Sequence, residues 1–462
     1  MLIWLLILLS IIMFIPFYQY LGREWYGPYS LFYFPFLICY LIAAYNANSW
    51  EFELGIKTFF ALLLGEFAFL FGCVIAKKVS IRGGTSRERV NLFHLEGKSN
   101  KISSNRLSII VFFEFVFFMY YFIKVYIWGI QHGRSIIEAI NSIMLNGKFD
   151  GDGDPLGLPF WIQIFLQMNY IAGYLFAYLI ARRILLKDRT NILLLCLGYF
   201  ISMLTNFLGG SRGPILEILG ALLISFGITY YFKTSKRFFP IKTVLKIVII
   251  VAIVGIGFFE ILPLMGRSQT AANESDVFTQ YIGSQIYNLN YFIENVDTHS
   301  TFFCAETLKS FYADIESFTG LNIGYKDGMI GNFYVFTSNG HNLGNVFTTY
   351  YNFYIDFGMI GIFIFTAFIG WFSELFFKHL KYNENMVNFK LILYIYMASS
   401  IMFSFFASRF FQNVIQLKML IKLFWLLIMY LYLVNGSYLR FKIGYSVKFS
   451  LNRSYSNYIG RK

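Results

Sequence analysis

Residues 57–76 read KTFFALLLGEFAFLFGCVIA, an apolar run that opens on one lysine and contains one glutamate. A helix needs about 20 predominantly apolar residues to cross the hydrocarbon core of a membrane, so this run has the length of one span. Of the 462 residues in the chain, 57% are hydrophobic and 14% are charged, whereas soluble domains carry about 25% charged residues. This composition excludes a soluble globular domain and a disordered chain, and 4 cysteines are too few for a disulfide scaffold. The sequence therefore predicts an integral membrane protein.

Other runs of similar length occur along the whole chain. With 57–76 they are 1–20, 29–46, 106–128, 158–181, 191–208, 213–232, 243–263, 346–372, 391–408 and 411–434. The runs are continuously apolar, whereas strands of a membrane β-barrel alternate apolar and polar residues. We therefore predict an all-α polytopic membrane protein of about 11 transmembrane helices, with 10 to 12 as the range, in a single domain over 1–462.

The connections between these runs divide by charge. One alternate set carries 26 of the 38 lysines and arginines, and the other set carries 9. Cytoplasmic loops of membrane proteins are enriched in lysine and arginine, so the first set is predicted to be cytoplasmic. The N-terminus is then outside and the C-terminus inside. The net charge of +13 is explained by topology, and no nucleic-acid partner is predicted.

The longest predicted outer connection is 264–345, and it is acidic. Apolar residues recur at helical spacing in its first half: Phe278, Tyr281, Ile282, Ile286, Leu289 and Ile293. This spacing predicts an amphipathic helix that lies at the membrane surface or packs over the bundle.

The short outer turn Gly209-Gly210-Ser211-Arg212-Gly213-Pro214 is a candidate anion receptor. Pro214 suits the first turn of a helix, and a helix N-terminus with exposed amides attracts anions. Arg212 adds a forked guanidinium suited to phosphate, while Gly210, Ser211 and Gly213 let the backbone approach a ligand. The alternative is a tight turn with one interfacial arginine.

Two further arginines, Arg267 and Arg409, lie on the predicted outer side. A short outer loop should avoid arginine, so Arg212 and Arg409 run against the charge rule. Such exceptions are candidates for function. Their alternative role is an ion pair with Glu217 or Glu260.

His341 opens the segment Gly340-His341-Asn342-Leu343-Gly344-Asn345, which leads into a run containing Tyr350. A histidine where a long polar loop re-enters the membrane suits a general base or acid near neutral pH. Asn342, Asn345 and Tyr350 are candidate substrate-binding residues beside it. An interfacial or capping histidine is the alternative.

No metal site is predicted. The histidines and cysteines lack the spacing of zinc ligands. The cluster Asp150-Gly-Asp152-Gly-Asp154 departs from a calcium loop, because position six is Pro155 and position twelve is Trp161. It is interpreted as a solvated acidic turn, with weak divalent-ion binding left open.

Taken together, these features resemble the bacterial O-antigen polymerases of the Wzy type. The resemblance runs from about 190 to 410 and consists of the Gly-Ser-Arg-Gly-Pro turn, the long outer loop, His341-Asn342 and the motif Tyr354-Ile-Asp356-Phe357-Gly358-x-x-Gly361. It implies an enzyme that transfers a growing glycan from undecaprenyl diphosphate onto a new lipid-linked repeat unit at the periplasmic face of the inner membrane.

By this resemblance the catalytic residues are His341, Arg212 and Arg267. Substrate contacts are predicted at Gly210, Ser211, Gly213, Arg409, Asn342, Asn345 and Tyr350. The expected partners are the lipid-linked donor and acceptor, membrane lipids and a chain-length regulator protein. No cofactor and no metal are expected, because arginines supply the countercharge.

Two alternatives stay open. The O-antigen ligase performs the same transfer with lipid A core as acceptor. A lipid-linked oligosaccharide flippase or other transporter is a different class, which would show paired halves and broken helices near the middle of the membrane. No internal repeat is found in the sequence.

Overall fold

The computed structural model describes residues 1–22, 24–79, 102–145, 156–210, 213–234, 274–296, 298–330, 334–380 and 387–434. Five predicted features lie outside these residues: the run at 243–263, the Asp150–Asp154 turn, Ser211, Arg212 and Arg267. Their predictions are neither supported nor contradicted.

The described residues are almost entirely helical. The helices are α1 Leu2–Leu21, α2 Pro28–Tyr45, α3 Ile56–Lys78, α4 Ser104–Gln131, α5 Ile136–Leu145, α6 Phe160–Leu185, α7 Ile192–Leu208, α8 Gly213–Thr234, α9 Glu274–Asn295, α10 Lys309–Thr319, α11 Thr349–Lys378, α12 Phe389–Met402, α13 Arg409–Asn413 and α14 Lys418–Val434. A two-stranded antiparallel ribbon joins β1 Val335–Phe336 to β2 Asn342–Gly344.

In the described part of the chain, 7 of these helices are long and apolar enough to cross a membrane: α1, α2, α3, α4, α6, α8 and α11. The shorter helices α7 and α12 are also apolar. The prediction of an all-α fold with membrane-length helices is confirmed to this extent. The count of eleven spans stays a prediction.

The predicted run 346–372 forms a broken helix. Within α11, Phe357 and Gly358 leave helical geometry, and Gly358 adopts φ 59° and ψ −143°, which a side chain disfavours. The two arms then fold against each other, because a Cβ on Gly361 would overlap the carbonyl oxygen of Phe353, and the rings of Phe353 and Phe365 are 5.2 Å apart. The first arm, Thr349 to Asp356, is too short to span, whereas the arm after Gly358 has about the 20 residues that spanning needs.

The predicted run 391–408 also differs from one continuous span. Helix α12 ends at Met402, and the short helix α13 begins only at Arg409. The following helix, α14, starts at Lys418 rather than near 411. The chain is therefore non-helical on both sides of α13.

Helices α3 and α11 form the closest helix pair of the fold. A Cβ on Gly72 would overlap the backbone of Ala367, and one on Gly370 would overlap the backbone of Phe69. The thiol of Cys73 donates a hydrogen bond of 3.4 Å to the carbonyl of Gly370. Small residues allow such backbone contact, which is the usual means of helix packing in membranes.

The segment predicted to form an amphipathic helix is helical in the structure. It is α9, and among its described side chains Ile286, Leu289, Phe292 and Ile293 are buried. Gln285 accepts a hydrogen bond of 3.7 Å from the thiol of Cys39 on α2. The helix thus packs against the bundle. Side chains 274–278, including Phe278, lie outside the described ones.

The bundle has two chemically different ends. At the end that we name the basic end, α3, α6, α8 and α11 finish, and Lys378 donates to the carbonyls of Lys77 and Val79 at 2.9 and 3.0 Å. At the other end, named the loop end, α8 begins and residues 298–330 and 334–347 pack over the bundle. Asn290 of α9 accepts a hydrogen bond of 2.8 Å from the amide of Gly55 there. The lysines and arginines that end these helices therefore meet at the end opposite the long loop.

Candidate functional site

The start of α8 lies directly beside Arg409. Helix α7 is followed by Gly209 and Gly210, and Gly210 has a φ of +68°, which glycine adopts without strain. Helix α8 begins at Gly213, where a Cβ would overlap Nη2 of the Arg409 guanidinium. Two of the residues that the sequence singles out, Gly213 and Arg409, are thus brought into contact across almost 200 positions of sequence.

Glu217, one helical turn after Gly213, holds the same arginine. Its Oε1 lies 3.4 Å from Nε of Arg409, and the side chains are 2% and 15% exposed, respectively. The sequence offers this ion pair as an alternative role for Arg409, and the structure confirms that the pair exists. The terminal nitrogens of the guanidinium face Gly213, since a Cβ there would overlap Nη2 and lie 3.1 Å from Nη1. Neither Nε of Arg409 nor Oε1 of Glu217 makes a hydrogen bond within the described residues, so the contact between them is an ion pair.

The other oxygen of Glu217 binds the far end of helix α13. Asn413 donates to Oε2 at 2.6 Å, and Tyr174 on α6 donates to the same oxygen at 3.5 Å. Arg409 and Asn413 are four residues apart on one short helix, so they share a face. One carboxylate therefore fixes both ends of α13.

Further polar side chains support Asn413. It donates to Oγ of Ser400 at 3.1 Å, and its carbonyl accepts from the hydroxyl of Tyr396 at 2.9 Å. Lys422 on α14 donates to that hydroxyl at 3.3 Å. The site residues predicted from the sequence do not include Asn413, Tyr396 or Lys422. Lys422 has a detectable signal, a charge within an apolar run, whereas the other two have none.

The loop end is tied to this cluster by Asp314 of α10. The Asp314 carboxylate accepts from the Lys418 amide at 2.8 Å and pairs with the Lys418 ammonium at 3.0 Å. It thereby satisfies an unpaired amide at the start of α14, as a capping residue does. Helix α10 is thus anchored beside the helix that carries Lys422.

The segment containing His341 lies elsewhere at the loop end. Thr337 accepts from the His341 amide at 2.9 Å, and the tip of the ribbon rests on the turn after α2 through a 3.1 Å hydrogen bond from Asn339 to the carbonyl of Ser49. His341 is exposed, and Asn342 and Asn345 are partly buried. The structure groups these three residues together, but it gives no contact between them and Arg409.

Tyr350 is fully buried in the bundle. Its ring stacks on Phe36 at 5.1 Å, and a Cβ on Gly65 would overlap the ring. The first arm of α11 therefore inserts Tyr350 between α2 and α3. No contact joins Tyr350 to Gly213 or Arg409.

The motif Tyr354 to Gly361 forms the break of α11 described above. Asp356, the last residue before the break, accepts from the amides of Glu306 and Thr307 at 3.2 and 2.8 Å. Asn352 donates to the carbonyl of Glu306 at 3.0 Å. In this chain the motif thus docks the first arm of α11 onto the loop end.

Burial raises the pKa of the Glu306 carboxyl above its ordinary value. Lys309, whose ammonium is 3.7 Å away, opposes this rise, and the Asp356 carboxylate adds to it. Within the described residues, no group of three or more His, Cys, Asp or Glu side chains is arranged to hold a metal ion.

The chemical capability of the Gly213–Arg409 cluster is anion binding. The first amides of a helix lack intrahelical partners and carry the positive end of its dipole. A guanidinium at that position adds a full positive charge and paired donors that match phosphate oxygens. Comparison of the chain with protein-family models, curated proteins and solved structures finds no match.

Proposed function

We propose that the protein is an oligosaccharide repeat unit polymerase. It transfers the growing glycan from undecaprenyl diphosphate onto a new lipid-linked repeat unit. The observation that carries the proposal is the contact between the Arg409 guanidinium and Gly213 at the start of α8. A diphosphate leaving group gains charge as its bond to the sugar breaks, and fixed donors at that position stabilise the charge.

All bonds, electrons and protons of the glycan transfer are accounted for without a cofactor. The acceptor hydroxyl oxygen bonds to the anomeric carbon of the donor glycan, and the bond from that carbon to the diphosphate oxygen breaks. The diphosphate keeps the bonding electrons, and the hydroxyl proton passes to a base. His341 stays the base proposed from the sequence, and its exposure is compatible with contact to a glycan.

In this proposal the loop end faces the periplasm and the basic end faces the cytoplasm of a bacterial inner membrane. The charge separation between the two ends supports this orientation. Reporter tags after residues 95 and 385 should be cytoplasmic, and a tag near 310 should be periplasmic. A cytoplasmic signal from the tag near 310 would place the anion site in the wrong compartment and end the proposal.

The direct test uses purified protein and lipid-linked repeat units, with a ladder of longer glycans as the expected product. Arg409→Lys keeps the charge but loses the fork, so the rate should fall about tenfold or more. Arg134→Ala is the matched control, since Arg134 lies at the loop end and stacks on Trp128 instead. An unchanged ladder from Arg409→Lys, or an equal loss from Arg134→Ala, would contradict the assignment.

Arg212, Arg267 and His341 stay candidate catalytic residues. Arg212→Ala should reduce the rate about a hundredfold, which is typical for removing one donor that stabilises developing charge. Arg267→Ala and His341→Ala should abolish polymer at normal protein abundance. Lower abundance with normal activity per molecule would instead indicate structural roles.

A ligase differs from a polymerase in the acceptor of the glycan, which is lipid A core for the ligase. A strain lacking the protein should still attach a single repeat unit to lipid A core if the protein is a polymerase. Loss of that single unit would favour ligase.

The transporter alternative has one observation in its favour, the interruptions at Phe357–Gly358 and on both sides of α13. Broken helices are frequent in transporters. Glycan polymerisation by detergent-solubilised protein decides between the two, because a transporter without a membrane yields no ladder.

A further inference from the structure

We infer that Glu217 is a positioning residue, which turns the terminal nitrogens of Arg409 toward the start of α8. The inference rests on the proposed function and names a residue that the resemblance does not supply. In the ion pair of these two residues, Glu217 contacts Nε of Arg409, while Nη2 of Arg409 lies against Gly213.

An arginine on its own has several rotatable bonds and would not keep this orientation. Here the side chain is held on two sides, since Glu217 contacts Nε and the ring of Phe406 lies 5.8 Å from Cζ. Glu217 in turn is fixed by Asn413 at 2.6 Å. In the proposed role, this preorganised guanidinium presents its terminal nitrogens to a phosphate oxygen.

As a carboxylate, Glu217 does not itself attract an anionic ligand. A carboxylate beside an anion site repels the ligand and lowers its affinity. Glu217 therefore weakens ground-state binding of diphosphate while it fixes the geometry of the donor. A residue of this kind should affect the rate of transfer rather than the affinity for the substrate.

The test is Glu217→Gln in the ladder assay, with kcat and KM for the lipid-linked donor measured per folded molecule. The glutamine can still accept from Asn413, but its amide group then presents a donor to Nε of Arg409. We expect kcat to fall about tenfold or more, as for small misplacement of a catalytic group, and KM to stay equal or decrease. Glu217→Asp, which keeps the charge, should give an intermediate kcat.

The matched control is Glu114→Gln. Glu114 is also fully buried in a membrane-length helix, α4, and no hydrogen bond reaches its carboxyl oxygens within the described structure. Its kcat and KM should equal those of the wild type. The inference is overturned by any result for Glu217→Gln other than a lower kcat without a higher KM.

If Glu217→Gln does not accumulate, Asn413→Ala decides. It removes the donor that orients Glu217, so kcat should fall while KM stays constant, and a wild-type kcat overturns the inference. Failure of the proposed function is a different result, because the wild-type protein would then produce no ladder.

Discussion

Two interfaces in this protein are equally close but different in kind. Between α3 and α11, glycines bring one backbone against another, as Gly72 does with Ala367. Between α8 and α13, a glycine brings the backbone against the end of a charged side chain, as Gly213 does with Arg409. The first contact joins two helix backbones, whereas the second places the end of a charged side chain at a helix start. The contact of Gly72 holds two helices together, whereas the contact of Gly213, under the proposed function, positions a cation that binds phosphate.

The buried glutamates of the two regions differ in the same way. Glu66 on α3 accepts a 2.7 Å hydrogen bond from the hydroxyl of Ser10, and its neighbours are tyrosines such as Tyr40. Glu217 on α8 faces a guanidinium instead. Both carboxyls are buried, so they differ in their partners rather than in their burial.

The largest effect is expected from Gly72→Val at the α3–α11 interface. The new side chain would overlap the backbone of Ala367 and the amide of Trp371, and neither can move without separating two helices. Overpacking of this kind costs about 3 kcal/mol or more of unfolding free energy. The amount of folded protein in the membrane fraction should collapse, and normal abundance would contradict the assignment of this interface as rigid.

The next largest effect is expected from Gly213→Val, and it should appear in activity instead. The overlap is with the far end of the Arg409 side chain, so the side chain must shift, but no helix backbone has to move. Polymerisation should fall about a hundredfold through loss of donor geometry, while abundance stays near wild type. Loss of abundance comparable to that of Gly72→Val would erase the distinction between the two interfaces.

A moderate effect is expected from Gly358→Ala at the break of α11. No atom lies within 4 Å of the new Cβ, so only the backbone conformation at φ +59° opposes it. Strain in such a region costs roughly 1–2 kcal/mol, and the midpoint of thermal unfolding in detergent should decrease by a few degrees. Gly209→Ala is the control for stability, because its φ is −69° and its nearest neighbour is 3.4 Å away.

We expect the smallest effect from the protonation of Glu306, and it should appear in the pH dependence of stability. Glu306 lies where the loop end meets the first arm of α11. Its folded-state pKa is raised from an ordinary value of 4.5, so the folded protein holds this proton to higher pH than the unfolded chain. This contribution to stability is complete below pH 4.5 and is lost as the pH rises through the folded-state pKa.

Thermal unfolding of Glu306→Gln should therefore depend less on pH than that of the wild type. The exposed Glu53 provides a control, since Glu53→Gln should leave the pH profile unchanged. Equal pH profiles for wild type and Glu306→Gln would show that burial of this carboxyl has no thermodynamic consequence.

The membrane-length helices and the charge asymmetry of their connections are predictable from the sequence. Both follow from local composition, because apolar length fixes where a helix can cross a membrane and basic residues cluster at one set of connections. The sequence also selects Gly213 and Arg409 separately. The turn chemistry of the first and the charge of the second beside an apolar run are readable without a fold.

The contact between these two residues, the ion pair of Glu217 with Arg409 and the hydrogen bond from Asn413 to Glu217 all depend on how distant helices pack. Asn413 and Glu217 are 196 positions apart, and no local pattern couples them, since the contact depends on how α8 and α13 pack. The same holds for Tyr350, whose burial against Gly65 requires the first arm of α11 to fold back at Gly358. Periodicity reports which residues are apolar, whereas packing of distant helices determines which polar groups share a site.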